Sequence, residues 1–392
     1  MERTGPNALT EKIARIIAES GEAGWKDTRR GPSGPFRCIT FARYMQLCLY
    51  DDTYGYYRSG RVRIGKDGDF YTSPGIGTAM ADVLASFVLE AARPFGTAEV
   101  VEWGAGTARL TAQMMAEWSR REPGWAEWLR PVIVEDHPAH LAATRNNVAS
   151  AASGFGTGCA AAFLTSGEAE SRGSLLPAVI IANELLDALP VHRVIRRNGR
   201  LYELGVAVDA EGESDGRSPF CYVRMPLSDE RIAASLDADG TVLREGQETE
   251  VHLPAGEWLE RIARLVPEGV LLIADYGHEA EEYAAAHRMK GTLLCYSRHV
   301  VHDDPFLNPG EQDITAHLNF TALRRMAARA GWSESFYGTQ QRFLVENGIL
   351  EALRDHDGTD PFGVTARRNR AIRQLLLSDA MSEAFKVLVL RR

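Results

Sequence analysis

Long apolar runs, paired cysteines and excess positive charge are all missing from this sequence of 392 residues. No run of about 18 apolar residues occurs, so no helix of the chain is expected to span a membrane. Its 5 cysteines show no CxxC spacing, which argues against a disulfide framework and a zinc cluster. A formal net charge of −9 argues against bulk attraction to nucleic acid or an anionic membrane. We therefore expect no metal, no bound nucleic acid and no membrane insertion.

The N-terminal stretch MERTGPNALTEKIARIIAESG lacks the apolar region of a signal peptide. Its acidic residues Glu2, Glu11 and Glu19 argue against a transit peptide. A cytoplasmic protein is therefore expected.

The first part of the chain has a helical pattern. In residues 9–20, LTEKIARIIAES places its isoleucines at helical spacing, and Thr10 can cap the helix. A Gly/Pro-rich link, GPSGP at 31–35, separates it from ITFARYMQLCLY, whose apolar side chains share one helical face behind the cap Thr40. These patterns predict a helical N-terminal region over residues 1–92.

Short apolar runs rich in β-branched residues alternate with helix-compatible segments through the centre of the chain. They are AEVVEWG (98–104), PVIVED (131–136), PAVIIANEL (177–185) and GVLLIADYG (269–277). Runs of this kind are typical of parallel strands that are buried on both faces. The alternation predicts a doubly wound α/β sheet within a core over residues 93–350.

Two stretches depart from this alternation. Residues 191–250 include VHRVIRRNGRLYELGVAV, which predicts a hairpin turning at Asn198-Gly199 and an insertion packed over the sheet. Residues 351–392 are predicted to form a tail of helix and strand. The segment ARRNRAIRQLL in that tail is more typical of a solvated amphipathic helix than of a nucleic-acid arm.

The first apolar run leads into a glycine-rich turn, EWGAGTA, before a helix-favouring segment. A dinucleotide-binding turn has a third glycine where Arg109 stands. The acidic Glu102 followed by Gly104 and Gly106 also fits the S-adenosylmethionine turn of Rossmann-like methyltransferases. In that pattern Ala108 replaces the last glycine. A tight turn that holds no ligand is the third interpretation.

Polar side chains follow the next two apolar runs. PVIVED carries Glu135, and a carboxylate at this point can accept both ribose hydroxyls of a nucleoside, although a solvated acidic loop is the alternative. NELLDALP offers Asn183, Glu184 and Asp187, whose oxygens suit a guanidinium or an amine. Asn183 and Asp187 can equally well cap a following helix.

Two later segments hold further polar candidates. Asp275 ends the run GVLLIADYG, where it can reach a pocket or cap a turn. GEQDITAHLNF contains Asp313 and His317, and one histidine with one aspartate is more often a structural hydrogen-bonded pair than a metal site or a base. We expect Asp275 and His317 to face substrate.

Motifs stand in a fixed order along the chain: the helix FARYMQLCLYDDTYGYY (41–57), GDFYTSPGIG (68–77), VVEWGAGTARL (100–110), IANELLDALPVHRV (181–194), LLIADYGH (271–278), GTLLCYSRH (291–299), PGEQDITAHLNF (309–320) and TQQRFLVENGI (339–349). Together they resemble the MidA-type methyltransferases. That family includes a mitochondrial arginine methyltransferase that acts as an assembly factor of respiratory complex I.

The resemblance implies an S-adenosylmethionine-dependent methyltransferase with a Rossmann-like class I sheet, a helical N-terminal lead-in and inserted α+β segments. It implies that an arginine of a protein, such as a complex I subunit, accepts the methyl group. The cofactor-binding residues that it implies are Glu102, Gly104, Gly106, Glu135, Thr72, Ser73 and Asn183. Thr72 and Ser73 belong to a loop that folds over the cofactor pocket, and Asn183 also borders the methyl-transfer site.

The chain departs from the family pattern at three positions. Ala105 stands where the family has proline, and Ala108 where it has glycine, and both changes are small enough to be tolerated. Gly75 stands where the family has glutamate, so the grip on substrate or cofactor is expected to differ.

Methyl transfer by in-line displacement asks mainly for positioning and charge neutralisation of the attacking guanidinium. Asn183, Glu184 and Asp187 are therefore the predicted catalytic residues, with Glu184 and Asp187 as candidates for holding the guanidinium.

An assembly chaperone that keeps the fold without the chemistry is the alternative. A nicotinamide-dependent oxidoreductase is disfavoured because GxGxxG is missing. The helical lead-in and the insertion offer apolar surface for a homodimer.

Overall fold

A computed structural model describes residues 8–28, 31–58, 60, 78–152, 161–173, 176–209, 218–355, 360, 362–377 and 384–392. The chain forms two compact units, each built from separate stretches of sequence. The first unit comprises the described residues of Met1–Ser59, Asp187–Trp258 and His278–Arg325. The second unit comprises those of Gly60–Leu186, Leu259–Gly277 and Met326–Arg392.

The described helices are α1 (Ala8–Glu19), α2 (Phe41–Tyr50), α3 (Ala79–Ala92), α4 (Arg109–Arg121), α5 (Pro138–Ala152), α6 (Ser166–Ser171), α7 (Glu230–Ala238), α8 (Leu253–Leu265), α9 (Ala280–Tyr283), α10 (Phe320–Arg329), α11 (Gln340–Glu346) and α12 (Val364–Leu377). The described strands are β1 (Ala23–Thr28), β2 (Gly31–Thr40), β3 (Ala98–Trp103), β4 (Leu129–Val134), β5 (Ala162–Leu164), β6 (Ala178–Asn183), β7 (His192–Arg197), β8 (Arg200–Val208), β9 (Phe220–Met225), β10 (Glu248–Val251), β11 (Gly269–His278), β12 (Leu294–Ser297), β13 (Val300–His302), β14 (Asp313–Thr315), β15 (Leu318–Asn319), β16 (Ser333–Thr339) and β17 (Phe385–Arg391).

The second unit contains a sheet with the strand order β5-β4-β3-β6-β11-β17-β16. Neighbours from β5 to β11 pair in parallel, while β17 pairs antiparallel with β11 and β16. The chain builds outward from β3 to β5 and then returns to β6, so its direction of growth reverses between β3 and β6. Ligands of open α/β sheets bind beyond the carboxyl ends of the strands at such a reversal. The predicted doubly wound α/β sheet is confirmed.

Burial explains why these segments form strands. β3 is buried along its whole length, and Val179, Ile180 and Ile181 of β6 are each 0% exposed. Burying one such aliphatic side chain stabilises the fold by roughly 1.5–3 kcal/mol. β-branched residues also suit the extended backbone. An apolar, β-branched segment therefore forms a strand that is buried on both faces.

The first unit contains an antiparallel sheet with the order β10-β7-β8-β2-β1-β9, in which β8 also pairs with β9. The predicted hairpin joins β7 to β8. Arg197 pairs with Arg200, and the two turn residues Asn198 and Gly199 have φ values of 50° and 72°. Positive φ at both positions is what the two-residue hairpin turn requires, so the Asn-Gly prediction is confirmed.

The prediction of a Gly/Pro-rich link at 31–35 is wrong, because these residues belong to β2. Ser33 pairs with Lys26 and Pro32 with Asp27 of β1, whereas the described pairing of β2 with β8 involves residues 38–40. Proline is tolerated in a strand that has one open side, since its missing N–H is not needed there. Composition alone therefore favours a loop where tertiary pairing makes a strand.

The C-terminal tail contains α12 and β17, and β17 lies inside the sheet of the second unit. In α12, Ile372 and Leu375 are buried, so the helix has an apolar face. The predicted boundaries of the N-terminal region, the core with its insertion and the tail remain predictions. No described helix is long and apolar enough to cross a membrane.

Thr40 caps helix α2 as predicted. The helix ends at Tyr50, so it does not extend over the whole motif 41–57. The Thr40 side chain accepts a hydrogen bond from the Arg43 backbone N–H at 3.1 Å. We expect Thr40→Ala to lower the free energy of unfolding by about 1 kcal/mol, because the N–H loses its partner. Chemical denaturation measures this change. Thr40→Ser keeps the hydroxyl as a control, and equal stability of the two variants would contradict the prediction.

Candidate functional site

The glycine-rich turn follows β3 directly and has a backbone that other residues adopt with difficulty. The φ values of Gly104, Gly106 and Ala108 are 72°, 56° and 50°. The backbone N–H groups of Gly104 and Ala105 donate to the Val134 carbonyl at 2.9 and 3.2 Å. Ala108 is left-handed, which costs an L-residue about 1–2 kcal/mol, so this departure from glycine is small in volume but strained in backbone.

Gly104 also lies close to the segment that follows β6. A Cβ atom added to Gly104 would lie 2.6 Å from Leu185 Cδ1. A side chain at residue 104 would therefore displace the Leu185 side chain, and the positive φ would strain it as well.

Glu135 follows β4 and is 8% exposed. Its carboxylate accepts the Gly106 N–H at 2.6 Å and the His137 N–H at 2.7 Å. Burial raises the pKa of Glu135 to about 7 against these two hydrogen bonds, which lower it. Glu135 is thus a buried carboxylate beside the glycine-rich turn, as its position in the sequence predicts, rather than a solvated acidic loop.

Glu102 braces the turn from the β3 side. Its carboxylate accepts the backbone N–H of Thr111 at 3.1 Å and the Thr111 hydroxyl. Burial raises the pKa of Glu102 to about 7, although both hydrogen bonds from Thr111 oppose the shift. These contacts tie β3 to the first turn of α4, and the predicted contact of Glu102 with the cofactor remains a prediction.

Two side chains of α5 that were not among the predicted site residues hold the same turn. The Thr144 hydroxyl donates to the Gly106 carbonyl at 2.9 Å, and the Asn147 amide donates to the Thr107 carbonyl at 2.9 Å. Because they are three residues apart, they lie on one face of the helix. Polar residues at this spacing in the helix after Glu135 are a sequence signal that could have identified them.

The end of β6 combines a strained residue with a buried acceptor. Glu184 has a φ of 52°, a region that costs a non-glycine residue about 1–3 kcal/mol and is enriched at functional sites. The Asn183 amide nitrogen donates to Glu184 Oε1 at 3.1 Å. Asn183 Oδ1 is buried and accepts no hydrogen bond from the described part of the chain. A buried acceptor of this kind calls for a donor from a ligand or from water.

Asp275 lies on the neighbouring strand β11 and is 0% exposed. Its Oδ2 accepts the backbone N–H groups of Leu185 and Leu186 at 3.2 and 2.9 Å, and its Oδ1 accepts that of Tyr276 at 2.8 Å. Of the two interpretations left open by the sequence, the geometry favours the one in which Asp275 holds a turn. Its predicted contact with substrate remains a prediction.

The remaining predicted residues belong to the first unit or lie outside the described residues. Asp187 and His317 belong to the first unit, where the Ala316 N–H donates to the Asp187 carbonyl at 2.9 Å. Asp313 accepts the Tyr57 hydroxyl at 2.9 Å. Thr72, Ser73 and Gly75 lie outside the described residues. Among the residues with described positions, no group of three or more His, Cys, Asp or Glu side chains could hold a metal ion.

A family model of S-adenosyl-L-methionine-dependent methyltransferases matches residues 79–337. The chain belongs to this family. The matched range contains the glycine-rich turn, Glu135 and the end of β6. The resemblance to a methyltransferase family is therefore confirmed, and so is the Rossmann-like methyltransferase sheet.

Individual relatives agree with this assignment. The chain is 26% identical over 372 residues to "Protein arginine methyltransferase NDUFAF7, mitochondrial" of Danio rerio, covering 89% of this chain and 82% of the relative. It is 27% identical over 344 residues to the Drosophila melanogaster homolog of that name, covering 80% and 72%. A Burkholderia thailandensis crystal structure, described as a "likely methyl transferase" bound to S-adenosyl-homocysteine, is 30% identical with a TM-score of 0.83, covering 100% of this chain and 95% of that one.

S-adenosyl-L-methionine is the cofactor of this methyltransferase, and the described residues fit it. The turn at Gly104 and Gly106 brings backbone rather than side chain to the switch point of the sheet. The buried carboxylate of Glu135 suits a pair of hydroxyls, since an ionised carboxylate only accepts hydrogen bonds. Asn183 Oδ1 is a buried acceptor without a donor among the described residues, so a donor group of a ligand can form a hydrogen bond there.

Proposed function

We propose that this methyltransferase methylates arginine side chains of proteins. The observation that carries the proposal is Asn183 Oδ1, a buried acceptor with no donor among the described residues, next to the strained Glu184. A guanidinium is a planar group that only donates hydrogen bonds, and acceptors select it over an oxygen nucleophile that also accepts. The names of the relatives from Danio rerio and Drosophila melanogaster support the same acceptor.

On this proposal Glu135 holds the ribose hydroxyls, the turn at Gly104 and Gly106 lies against the cofactor, and Glu102 keeps that turn in shape through Thr111. The family resemblance implies that Thr72 and Ser73, which lie outside the described residues, also bind the cofactor. The bound cofactor supplies an electrophilic methyl group on a sulfonium sulfur.

The protein's own contribution to transfer is positioning. Asn183 and Glu184 accept hydrogen bonds from the guanidinium and fix its plane, and the carboxylate of Glu184 offsets its positive charge. Asp187 is the second carboxylate proposed to hold the guanidinium, and Asp275 keeps the backbone of residues 185 and 186 in place. The N–H proton that the methyl group replaces passes to the Glu184 carboxylate, and a weak base is enough because orientation and charge account for most of the expected rate gain.

The test is transfer of tritium from labelled S-adenosyl-L-methionine to a lysate of host cells that lack the protein, followed by amino-acid analysis. Label in methylated arginine is expected. Label in another amino acid or in a small molecule would refute the arginine proposal while leaving the methyltransferase assignment intact. A respiratory complex I subunit is the acceptor that we propose to examine first in the labelled fraction.

An assembly chaperone that retains the methyltransferase fold is the second candidate. The strain at Ala108 and the departure at Gly75 are the features that favour it. Tight binding of S-adenosyl-homocysteine together with no label in any protein would support the chaperone over the enzyme. We place either activity in the cytoplasm, with a homodimer as the proposed assembly.

The pH dependence of S-adenosyl-homocysteine binding should report on Glu135. Its pKa is raised to about 7, and the ionised form is the one that accepts both ribose hydroxyls. Affinity should therefore be full above pH 7 and fall by up to about tenfold per pH unit below it. Calorimetry between pH 6 and pH 8 measures this slope.

Glu102 is the matched control, because its pKa is also raised to about 7. Glu135→Gln should bind more weakly and show no slope, whereas Glu102→Gln should keep the slope. A slope that survives in Glu135→Gln would show that another group controls the binding of the ribose.

A further inference from the structure

Gln340 carries a buried amide that makes no hydrogen bond. The residue is 1% exposed, and neither its Oε1 nor its Nε2 has a hydrogen-bond partner within the described part of the chain. An amide oxygen accepts hydrogen bonds and an amide nitrogen donates two, so a donor group and an acceptor group are both left unpaired. Unpaired polar groups in a protein interior are destabilising and rare, and each one calls for an explanation.

Helix packing gives no reason for an amide at this position. Gln340 is the first residue of α11 and shares the buried face of that helix with Phe343 and Leu344. The ring centroid of Phe343 lies 5.4 Å from that of Phe87 in α3 and 5.4 Å from that of Phe336 in β16. An apolar side chain would fill such a face without leaving any polar group unpaired. We therefore look for a partner of Gln340 outside the described chain.

The direction of β16 places Gln340 at the edge of the sheet that holds the candidate site. β16 and β11 each pair antiparallel with β17, so they run parallel to each other. β11 also runs parallel to β6. The carboxyl ends of these three parallel strands therefore lie at one edge, where ligands of open α/β sheets bind. Gln340 directly follows Thr339, the last residue of β16.

The strand register gives the separation between Gln340 and the end of β6. Gly338 pairs with Val387, Val387 with Ala274, and Ala274 with Asn183. Three interstrand spacings put residues 338 and 183 about 14 Å apart. About four residues of an extended peptide cover this distance. β3, which leads into the glycine-rich turn, pairs with the other side of β6, so Gln340 lies on the side of Asn183 away from that turn.

The chemistry of the amide limits what can pair with it. A carboxylate only accepts hydrogen bonds and a guanidinium only donates them, so either group would leave one end of Gln340 unpaired. The main-chain N–H and C=O of one extended residue point to the same side, as in a strand pair, and can satisfy both ends. Because Gln340 is buried, these hydrogen bonds would form away from water and would discriminate against a molecule that lacks the matching groups.

We propose that Gln340 is a specificity-determining residue that binds the main chain of the protein substrate a few residues away from the methylated arginine. It thereby selects a peptide over free arginine. The inference rests on the proposed function, because it needs an arginine of a protein as the methyl acceptor. Gln340 contributes binding alone, since it lies far from the reacting nitrogen.

Thermal unfolding of the ligand-free protein tests whether the amide is unpaired. Methionine has a similar length to glutamine but no amide, so Gln340→Met should unfold at a temperature about 2–4 °C higher than the wild type. Gln341→Met is the matched control, because residue 341 is the next position of α11 and is partly exposed. It should leave the unfolding temperature unchanged. A Gln340→Met protein that unfolds at or below the wild-type temperature would show that the amide is already satisfied, and would overturn the inference.

The tritium assay with increasing amounts of lysate protein tests the role toward substrate. Gln340→Met should raise the protein concentration that gives the half-maximal rate about tenfold and leave the maximal rate within about twofold, because the lost contact is remote from the reacting atoms. The dissociation constant of S-adenosyl-homocysteine should change less than twofold, and Gln341→Met should match the wild type throughout. Unchanged kinetics, or a lower maximal rate at an unchanged half-maximal concentration, would refute the role of Gln340 and leave arginine methylation intact.

Free L-arginine tests the selection of a peptide. At equal arginine concentration, the wild type should label it at least about tenfold more slowly than the lysate proteins, and Gln340→Met should narrow this difference. Equal labelling of free arginine and protein by the wild type would overturn the inference. A wild type that labels no arginine in any protein would refute the proposed function and, with it, the binding of a protein main chain by Gln340.

Discussion

Gly104→Arg is expected to abolish measurable binding of S-adenosyl-homocysteine. Residue 104 has a φ of 72°, and even a Cβ atom there would lie 2.6 Å from Leu185 Cδ1. A long charged side chain would fill the space where backbone alone now faces the switch point of the sheet. We expect affinity to fall at least about 100-fold, or about 2.7 kcal/mol, as measured by calorimetry.

Backbone strain alone must be separated from blockage of the site. Gly173 has a φ of 80° in the same unit, and an added Cβ there would meet nothing within 4 Å. Gly173→Arg should therefore share the strain and keep the binding. Circular dichroism and thermal unfolding would show whether each variant folds. A folded Gly104→Arg protein that binds like the wild type would place the cofactor elsewhere.

The sheet of the second unit and the hairpin of the first unit could be predicted because their signals are local. A strand buried on both faces must be apolar throughout, and a two-residue hairpin turn needs positive φ at both positions. VIIAN and the Asn198-Gly199 pair carry these requirements in a few adjacent residues. The position of Glu135 beside the glycine-rich turn could be predicted for the same reason, since it follows its strand directly.

Features that depend on pairing between distant segments could not be predicted. Pro32 lies in a strand because β1 pairs with it, and the sequence around Pro32 has no sign of that partner. Asp275 holds backbone N–H groups at residues 185 and 186, about ninety positions away. His278 and His317 meet across 39 positions. A single sequence shows the residue types at these places but not which of them touch.

The strain at Ala108 illustrates the same limit. Side-chain volume suggests that alanine replaces glycine easily, yet the left-handed backbone at residue 108 raises the cost. The structure offsets this through neighbours that hold the turn, among them Thr144 and Asn147. The energetic cost of alanine at residue 108 depends on the backbone angle φ, which the residue type alone does not reveal.

Asn183→Leu is expected to lower the initial rate of arginine methylation by about 100-fold or more, the size seen when one aligned polar group is removed from an active site. Leucine has nearly the same shape but no acceptor, so the donor that Asn183 Oδ1 calls for would lose its partner. The tritium assay with the lysate measures the rate. Calorimetry with S-adenosyl-homocysteine on the same samples separates loss of transfer from loss of cofactor.

The two measurements also divide the roles proposed for Asn183. A rate that falls about 100-fold with the dissociation constant changed only a few-fold places Asn183 against the guanidinium, because the lost energy then appears in transfer rather than in cofactor binding. Equal losses in both would assign it to the cofactor alone. Asn146→Leu, on the exposed side of α5, controls for the substitution itself and should change neither quantity. An Asn183→Leu protein with the wild-type rate would contradict the proposal that a buried acceptor at the end of β6 selects the nitrogen nucleophile.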